Sequence, residues 1–141
     1  MSEVFMVAGS HLPHGTVFVA DDDDDLRAII VDALRADGYT VVEARDGLEL
    51  LMLIEDTLGT PEARPDLVIA DVRMPHLSGL GVLDHLKRAH VNLPVVLMTG
   101  FAQGSVEVVA KRLGALGVLT KPFDVDVLRK AVLRAKGEDD K

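Results

Sequence analysis

Five polar side chains stand directly after short apolar runs, and together they could handle a phosphoryl group. Val17-Phe18-Val19-Ala20 runs into Asp21 and Asp22, and Leu67-Val68-Ile69-Ala70 runs into Asp71. Pro94-Val95-Val96-Leu97-Met98 ends in Thr99, and Gly117 to Thr120 ends in Lys121. Carboxylates gathered on one rigid edge suit Mg²⁺ (or Mn²⁺), hard cations that take oxygen ligands and keep some of their water. A carboxylate near such a metal can act as a nucleophile toward phosphorus. Phosphoryl transfer needs mainly positioning and neutralised charge. The metal and Lys121 would neutralise, and the Thr99 hydroxyl would donate a hydrogen bond to a phosphoryl oxygen. Asp71 stands alone after its run and is the natural acceptor, with Asp21 and Asp22 as the metal cradle.

These residues meet only if the apolar runs are parallel strands. Thr16 to Ala20 reads as a strand buried on both faces. Leu26, Ile29, Ile30, Ala33 and Leu34 then make one apolar stripe of a helix. Asp24 or Asp25 is expected to cap it, and Gly38 to end it. A second strand covers Tyr39 to Glu43, and a second helix about Leu48 to Leu58. That helix is apolar almost all round, with Leu51, Ile54 and Leu58 as the expected core stripe. Gly59 to Pro65 is a loop, followed by the third strand, Leu67 to Ala70. Pro75 pushes Met74 away from helical angles, so residues 72–77 are irregular. A third helix runs from Ser78 to about His90, with Leu80, Leu83, Leu86 and Lys87 on a weaker stripe. A strand over Pro94 to Met98, a helix from Ser105 to Leu113 and a strand over Gly117 to Thr120 follow. Asp124 caps a last helix, with Leu128, Ala131, Val132 and Ala135 inward. Strand–helix repeated five times gives a parallel sheet with helices on both faces. Ligands bind such sheets at the carboxyl ends of the strands, where all five polar residues fall.

The 141 residues are 48% hydrophobic and 27% charged, the balance of one globular domain. Residues 1–15 are expected to be a flexible lead-in, 16–136 the domain and 137–141 a polar tail. The net charge of −8 argues against a general nucleic-acid binder. With no cysteine, there is no disulfide, thiol nucleophile or thiolate metal site. No run is long enough for a membrane span, and the first residues lack a signal-peptide pattern. A cytoplasmic location is the expectation, with no membrane or direct nucleic-acid partner.

Taken in order, Val17 to Asp22, Pro65 to Pro75, Pro94 to Gly100 and Thr120 to Phe123 resemble the response regulator receiver domain, the CheY-like phosphoacceptor module of two-component signalling. The resemblance covers about Thr16 to Lys136. It implies a flavodoxin-like (βα)5 fold, doubly wound, with strand order 2-1-3-4-5. It implies that Asp71 is phosphorylated by a sensor histidine kinase or a histidine phosphotransfer protein, and that a downstream protein reads the result. Asp22 would be a direct metal ligand and Asp21 would act largely through water. The Arg73 backbone carbonyl would complete the shell, Thr99 would be the switch hydroxyl, and Lys121 would pair with the acceptor. A cis Lys121–Pro122 bond is also implied. The chain would catalyse only its own phosphorylation and dephosphorylation, and without a following output domain it would signal through protein contacts.

Some positions depart from the family. Val118 stands where an inward-turning aromatic is usual, so another motion must carry the signal. Arg73 and Phe101 border the pocket as candidates for tuning phosphate lifetime. Asp23 to Asp25 extend the acidic run, and are read as cap, dipole partners and solvated charge. His76, His85 and His90 are read as surface residues, and the five methionines as core. The spare apolar residues of the second helix, with Val106, Val108 and Val109, are a candidate interface. Two rivals stand beside this reading. One is a haloacid-dehalogenase-like phosphatase with Asp21 and Asp23 as its acidic pair. The other is a pseudo-receiver that only binds partners.

Overall fold

The structure is a computed structural model and describes residues 15–100 and 104–135. Five parallel strands form one sheet: β1 (Thr16–Ala20), β2 (Thr40–Ala44), β3 (Leu67–Asp71), β4 (Val95–Thr99) and β5 (Gly117–Thr120). Their order is β2-β1-β3-β4-β5, the flavodoxin-like order. Between and after them lie α1 (Asp24–Ala36), α2 (Gly47–Glu55), α3 (Gly79–Arg88), α4 (Gly104–Arg112) and α5 (Val125–Ala135). Residues 1–14, 101–103 and 136–141 fall outside the described part, and with them nearly all of the lead-in, the tail and Phe101, one candidate lifetime position.

Side chains alternate across each strand, and both faces are covered. Val17, Val19, Ile69 and Met98 pack under α1 and α5, against Ile30, Leu34, Leu128 and Val132. Phe18, Val68, Ala70 and Leu97 pack under α2, α3 and α4, against Leu50, Ile54, Val82, Leu86 and Ala110. Burial on both faces is why the strands read as unbroken apolar runs instead of alternating ones.

The helices differ from expectation in detail. Asp23, not Asp24 or Asp25, caps α1: its side chain accepts from the Asp25 and Leu26 N–H groups. Gly38 has the expected left-handed φ of 96°. Ile29 is exposed, and Arg27 is buried in the same helix. In α2, capped by Asp46, the buried face is Leu50, Leu51 and Ile54. Leu58 is exposed because the helix stops at Glu55, before the turn that would carry it inward. A Cβ at Gly47 would collide with the Leu77 carbonyl, so glycine allows α2 to press on the segment before α3.

Ser78 caps α3, whose buried residues are Gly79, Val82, Leu83 and Leu86; Leu80 is only half-buried. Lys87 points outward, and its ammonium donates to the Arg112 carbonyl at the end of α4, where the helix dipole favours a cation. Of α4 only Ala110 is fully buried. Val106 packs against the core, while Val108 and Val109 are exposed, so only part of the proposed apolar surface is free. Asp124 accepts from the Asp126 N–H at the start of α5, as a cap should. Among the described residues, no helix is long and apolar enough to cross a membrane.

Candidate functional site

The sheet register lays the polar residues side by side. Ala20 pairs with Ala70, so Asp21 and Asp71 leave adjacent strands together. Asp71 sits opposite Met98, one residue before Thr99, and Thr99 pairs with Thr120, one residue before Lys121. The Lys121 N–H donates to the Thr99 carbonyl at 2.7 Å, carrying the ladder one step past the strands. Lys121–Pro122 is cis, as the resemblance implied.

Charge closes the pocket. Lys121 Nζ donates to Asp21 Oδ2 at 3.1 Å and to Asp71 Oδ2 at 3.0 Å. The Asp23 N–H donates to Asp21 Oδ1 at 2.9 Å, and the Arg73 N–H to Asp71 Oδ1 at 3.2 Å. Asp21, Asp71 and Thr99 are buried, and Asp22 is exposed. Asp21, Asp22 and Asp71 each offer a carboxylate oxygen, all within 4.8 Å of one another. Three oxygen donors at that spacing, with one side open to water, fit a hard divalent cation such as Mg²⁺.

Burial raises the pKa of Asp21 and the Asp71 charge adds to this; the Asp23 N–H and Lys121 oppose it, but the net shift is upward. Burial works against the Lys121 ammonium, yet Asp71 and Asp21 outweigh it and raise its pKa. For Asp21 the linkage sign is clear. Above the ordinary carboxyl value near 3.9 the unfolded chain has released a proton that the folded chain still holds. Stability therefore falls as pH climbs through the raised folded value, and the ionised form is a cost at neutral pH. Asp21→Asn is expected to raise metal-free stability at pH 7, with the gain shrinking toward pH 4. Urea unfolding with chelator present reads this, and an equal gain at both pH values would contradict it.

Two contributors escaped the sequence reading. Arg27 of α1 is buried, donates to the Asp21 carbonyl at 2.6 Å and pairs with Asp24 and Glu43. A basic residue two positions beyond an acidic run, with Glu43 near the end of the neighbouring strand, was the available signal. Gly79 is the second: a Cβ there would collide with the Asp71 carbonyl, so glycine lets α3 abut the acceptor strand. The Gly79-Leu80-Gly81 spacing was its signal.

The remaining candidates have other places. Asp23 is turned to the α1 N-terminus, where its side chain caps the helix, which does not favour a phosphatase with Asp21 and Asp23 as its acidic pair. Val118 is half-buried and packs toward the α2–α3–α4 layer. His76 Nδ1 lies 3.0 Å from Asp46 Oδ2 at the α2 cap, and His85 lies 3.5 Å from Glu55; both are exposed. His90 is exposed as well.

A parallel sheet of this order, with an acidic pocket and one shared lysine at its carboxyl edge, has the architecture of a flavodoxin-like domain. The chain belongs to the response regulator receiver domain family, which matches residues 17–133. It is 35% identical over 124 residues to the DNA-binding transcriptional regulator NtrC of Escherichia coli (strain K12), covering 88% of this chain and 25% of that protein. It thus spans about a quarter of the length of that regulator. It is 31% identical over 116 residues to the sporulation initiation phosphotransferase F of Bacillus subtilis (strain 168), covering 82% of this chain and 89% of that one. The receiver domain of Francisella response regulator 1452 superposes with a TM-score of 0.80 at 28% identity, covering 89% and 98% of the two chains. Vibrio cholerae chemotaxis protein CheY4 gives 0.76 at 28% identity, covering 88% and 98%. The chain is a receiver domain, a phosphoacceptor signalling module; receiver domains bind Mg²⁺ generally, and the cluster of Asp21, Asp22 and Asp71 could hold such an ion.

Proposed function

We propose that Asp71 is the residue phosphorylated, and that a sensor histidine kinase or histidine phosphotransfer protein is the donor. The observation that carries this is the shared ammonium: Lys121 bridges Asp21 and Asp71 in a pocket whose three carboxylates lie within 4.8 Å of one another. An Asp71 carboxylate oxygen forms the new bond to phosphorus as the donor's phosphorus–nitrogen bond breaks, and that electron pair leaves with the imidazole. Asp22, Asp71 and the Arg73 carbonyl, with Asp21 largely through water, would hold Mg²⁺ (or Mn²⁺), which would supply neutralising charge for the phosphoryl oxygens. Lys121 adds a second positive group from the other side, and the Arg73 N–H orients the acceptor. The Thr99 hydroxyl donates to a phosphoryl oxygen once transfer is complete. Hydrolysis reverses the modification, with water as the attacking group; no separate substrate is turned over.

Phosphorylation adds charge and acceptor oxygens at the strand edge. It biases a two-state equilibrium of β4 and α4 through Thr99. Support comes from the thin anchoring of α4, with Ala110 its one fully buried residue. Val118 follows that movement by repacking, since it has no ring to turn. A downstream protein in the cytoplasm reads the change.

Incubation with Mg²⁺ and fresh acetyl phosphate, followed by intact-mass measurement, tests the reading. The expected result is a gain of one phosphoryl group, absent with chelator and mapped by peptide mass to Asp71. No gain in the wild-type protein would sink it. A stable group on Asp21 would indicate phosphatase chemistry instead.

A further inference from the structure

We infer that Arg27 is a positioning residue for the metal cradle, holding the peptide unit that aims Asp22. The inference rests on the reading that Asp21 and Asp22 hold the divalent cation.

Asp21 is pinned at every polar group. Its N–H donates to the Ala44 carbonyl at 3.2 Å, and its carboxylate accepts from Asp23 and Lys121. Its carbonyl is the group left, and Arg27 Nη1 donates to it at 2.6 Å. That carbonyl belongs to the peptide joining Asp21 to Asp22, so its direction sets the direction in which Asp22 leaves. Asp22 is exposed, which leaves the backbone, not packing, to aim it.

Arg27 is itself held from two sides. Nη2 donates to Asp24 Oδ1 at 2.7 Å and Nε to Glu43 Oε1 at 3.0 Å. Glu43 lies on β2 and is paired in register with Val19 of β1. The guanidinium therefore ties the turn after β1 to α1 and to the sheet, using the fixed fork that a lysine lacks. The side chain is only 11% exposed.

By its charge alone Arg27 would disfavour a cation here. A guanidinium beside the acid pair repels a divalent cation, so a bystander Arg27 would weaken Mg²⁺ binding and its removal would tighten it. A positioning Arg27 predicts the opposite sign. A role confined to fold stability predicts no change in affinity well below the unfolding temperature.

Calorimetric Mg²⁺ titration of the chelator-treated full chain separates these. Arg27→Gln is expected to bind Mg²⁺ about 10-fold more weakly, the scale of outer-shell losses at metal sites. Arg27→Lys should fall between, since one ammonium can reach the carbonyl but not span all three partners. Arg129→Gln is the control: it removes a comparable fork, to Asp37 and Asp126, and should leave affinity unchanged. If Arg27→Gln does not fold, Glu43→Ala, which removes one of the fork's anchors, should weaken binding in the same direction. Wild-type or tighter binding by Arg27→Gln, while Asp22→Asn loses the metal, overturns the inference alone. Wild-type binding by Asp22→Asn overturns the cradle reading and the inference with it.

Discussion

Asp71→Asn is expected to fold and to take no phosphoryl group from acetyl phosphate and Mg²⁺, by intact mass. The substitution is close to isosteric. The amide oxygen can still accept from the Arg73 N–H, whose bond to Asp71 Oδ1 is 3.2 Å. Neither core cluster includes Asp71, so packing under the five helices is unaffected. What disappears is the anionic nucleophile, because an uncharged amide cannot replace a carboxylate in attack on phosphorus. One of the three clustered carboxylates is lost as well, so Mg²⁺ should also bind less tightly. The two effects separate at high Mg²⁺: affinity can be restored by mass action, but the acceptor cannot. A phosphoryl gain by Asp71→Asn at saturating Mg²⁺ would move the acceptor to another residue.

The acceptor and its neighbours were legible in the sequence because of where they fall. A strand buried on both faces must be apolar throughout, so the first polar residue after it marks the strand end. In a parallel sheet those ends share one edge. This placed Asp21, Asp71, Thr99 and Lys121 together before any distance was known. The order of the strands followed from the family resemblance, since apolar runs do not say which of them are neighbours.

The helices were less legible, for physical reasons that differ. Along Asp21 to Asp25 every residue is a competent cap, so local preference could not choose. The choice is made by Asp21, whose carboxylate takes the Asp23 N–H; Asp23 is extended, with φ −84° and ψ 104°, and the helix starts after it. In α2, leucine, methionine and isoleucine nearly encircle the helix, so periodicity could not single out Leu50 over Leu58. Arg27 stayed hidden because its partner Glu43 lies 16 residues away on another strand. A charged residue is counted as solvent-facing until such a long-range partner is known.

Lys121→Met is expected to slow phosphorylation about 10²-fold or more, the cost of losing one preorganised group aimed at developing charge. The acceptor and the three carboxylates remain, so the loss should appear in the transfer rate and not in metal binding. Mg²⁺ affinity should instead rise, because Lys121 competes with the metal for the oxygens of Asp21 and Asp71 that it now holds at 3.1 and 3.0 Å. Without metal the variant should be less stable than the wild type, since two buried carboxylates lose their shared partner. Added Mg²⁺ should recover more stability in the variant than in the wild type. The pH dependence has its own sign. Lys121 has a raised pKa in the folded protein. Its contribution is complete below the ordinary lysine value near 10.4 and is lost as pH rises through the folded value. The wild type should lose this stability at alkaline pH, and Lys121→Met should lack that loss. Mass-based phosphorylation rates at saturating Mg²⁺, with Mg²⁺ titration and unfolding at pH 7 and pH 11, test all three. A variant that is phosphorylated at the wild-type rate would show that Lys121 serves only to keep the empty acid pocket folded.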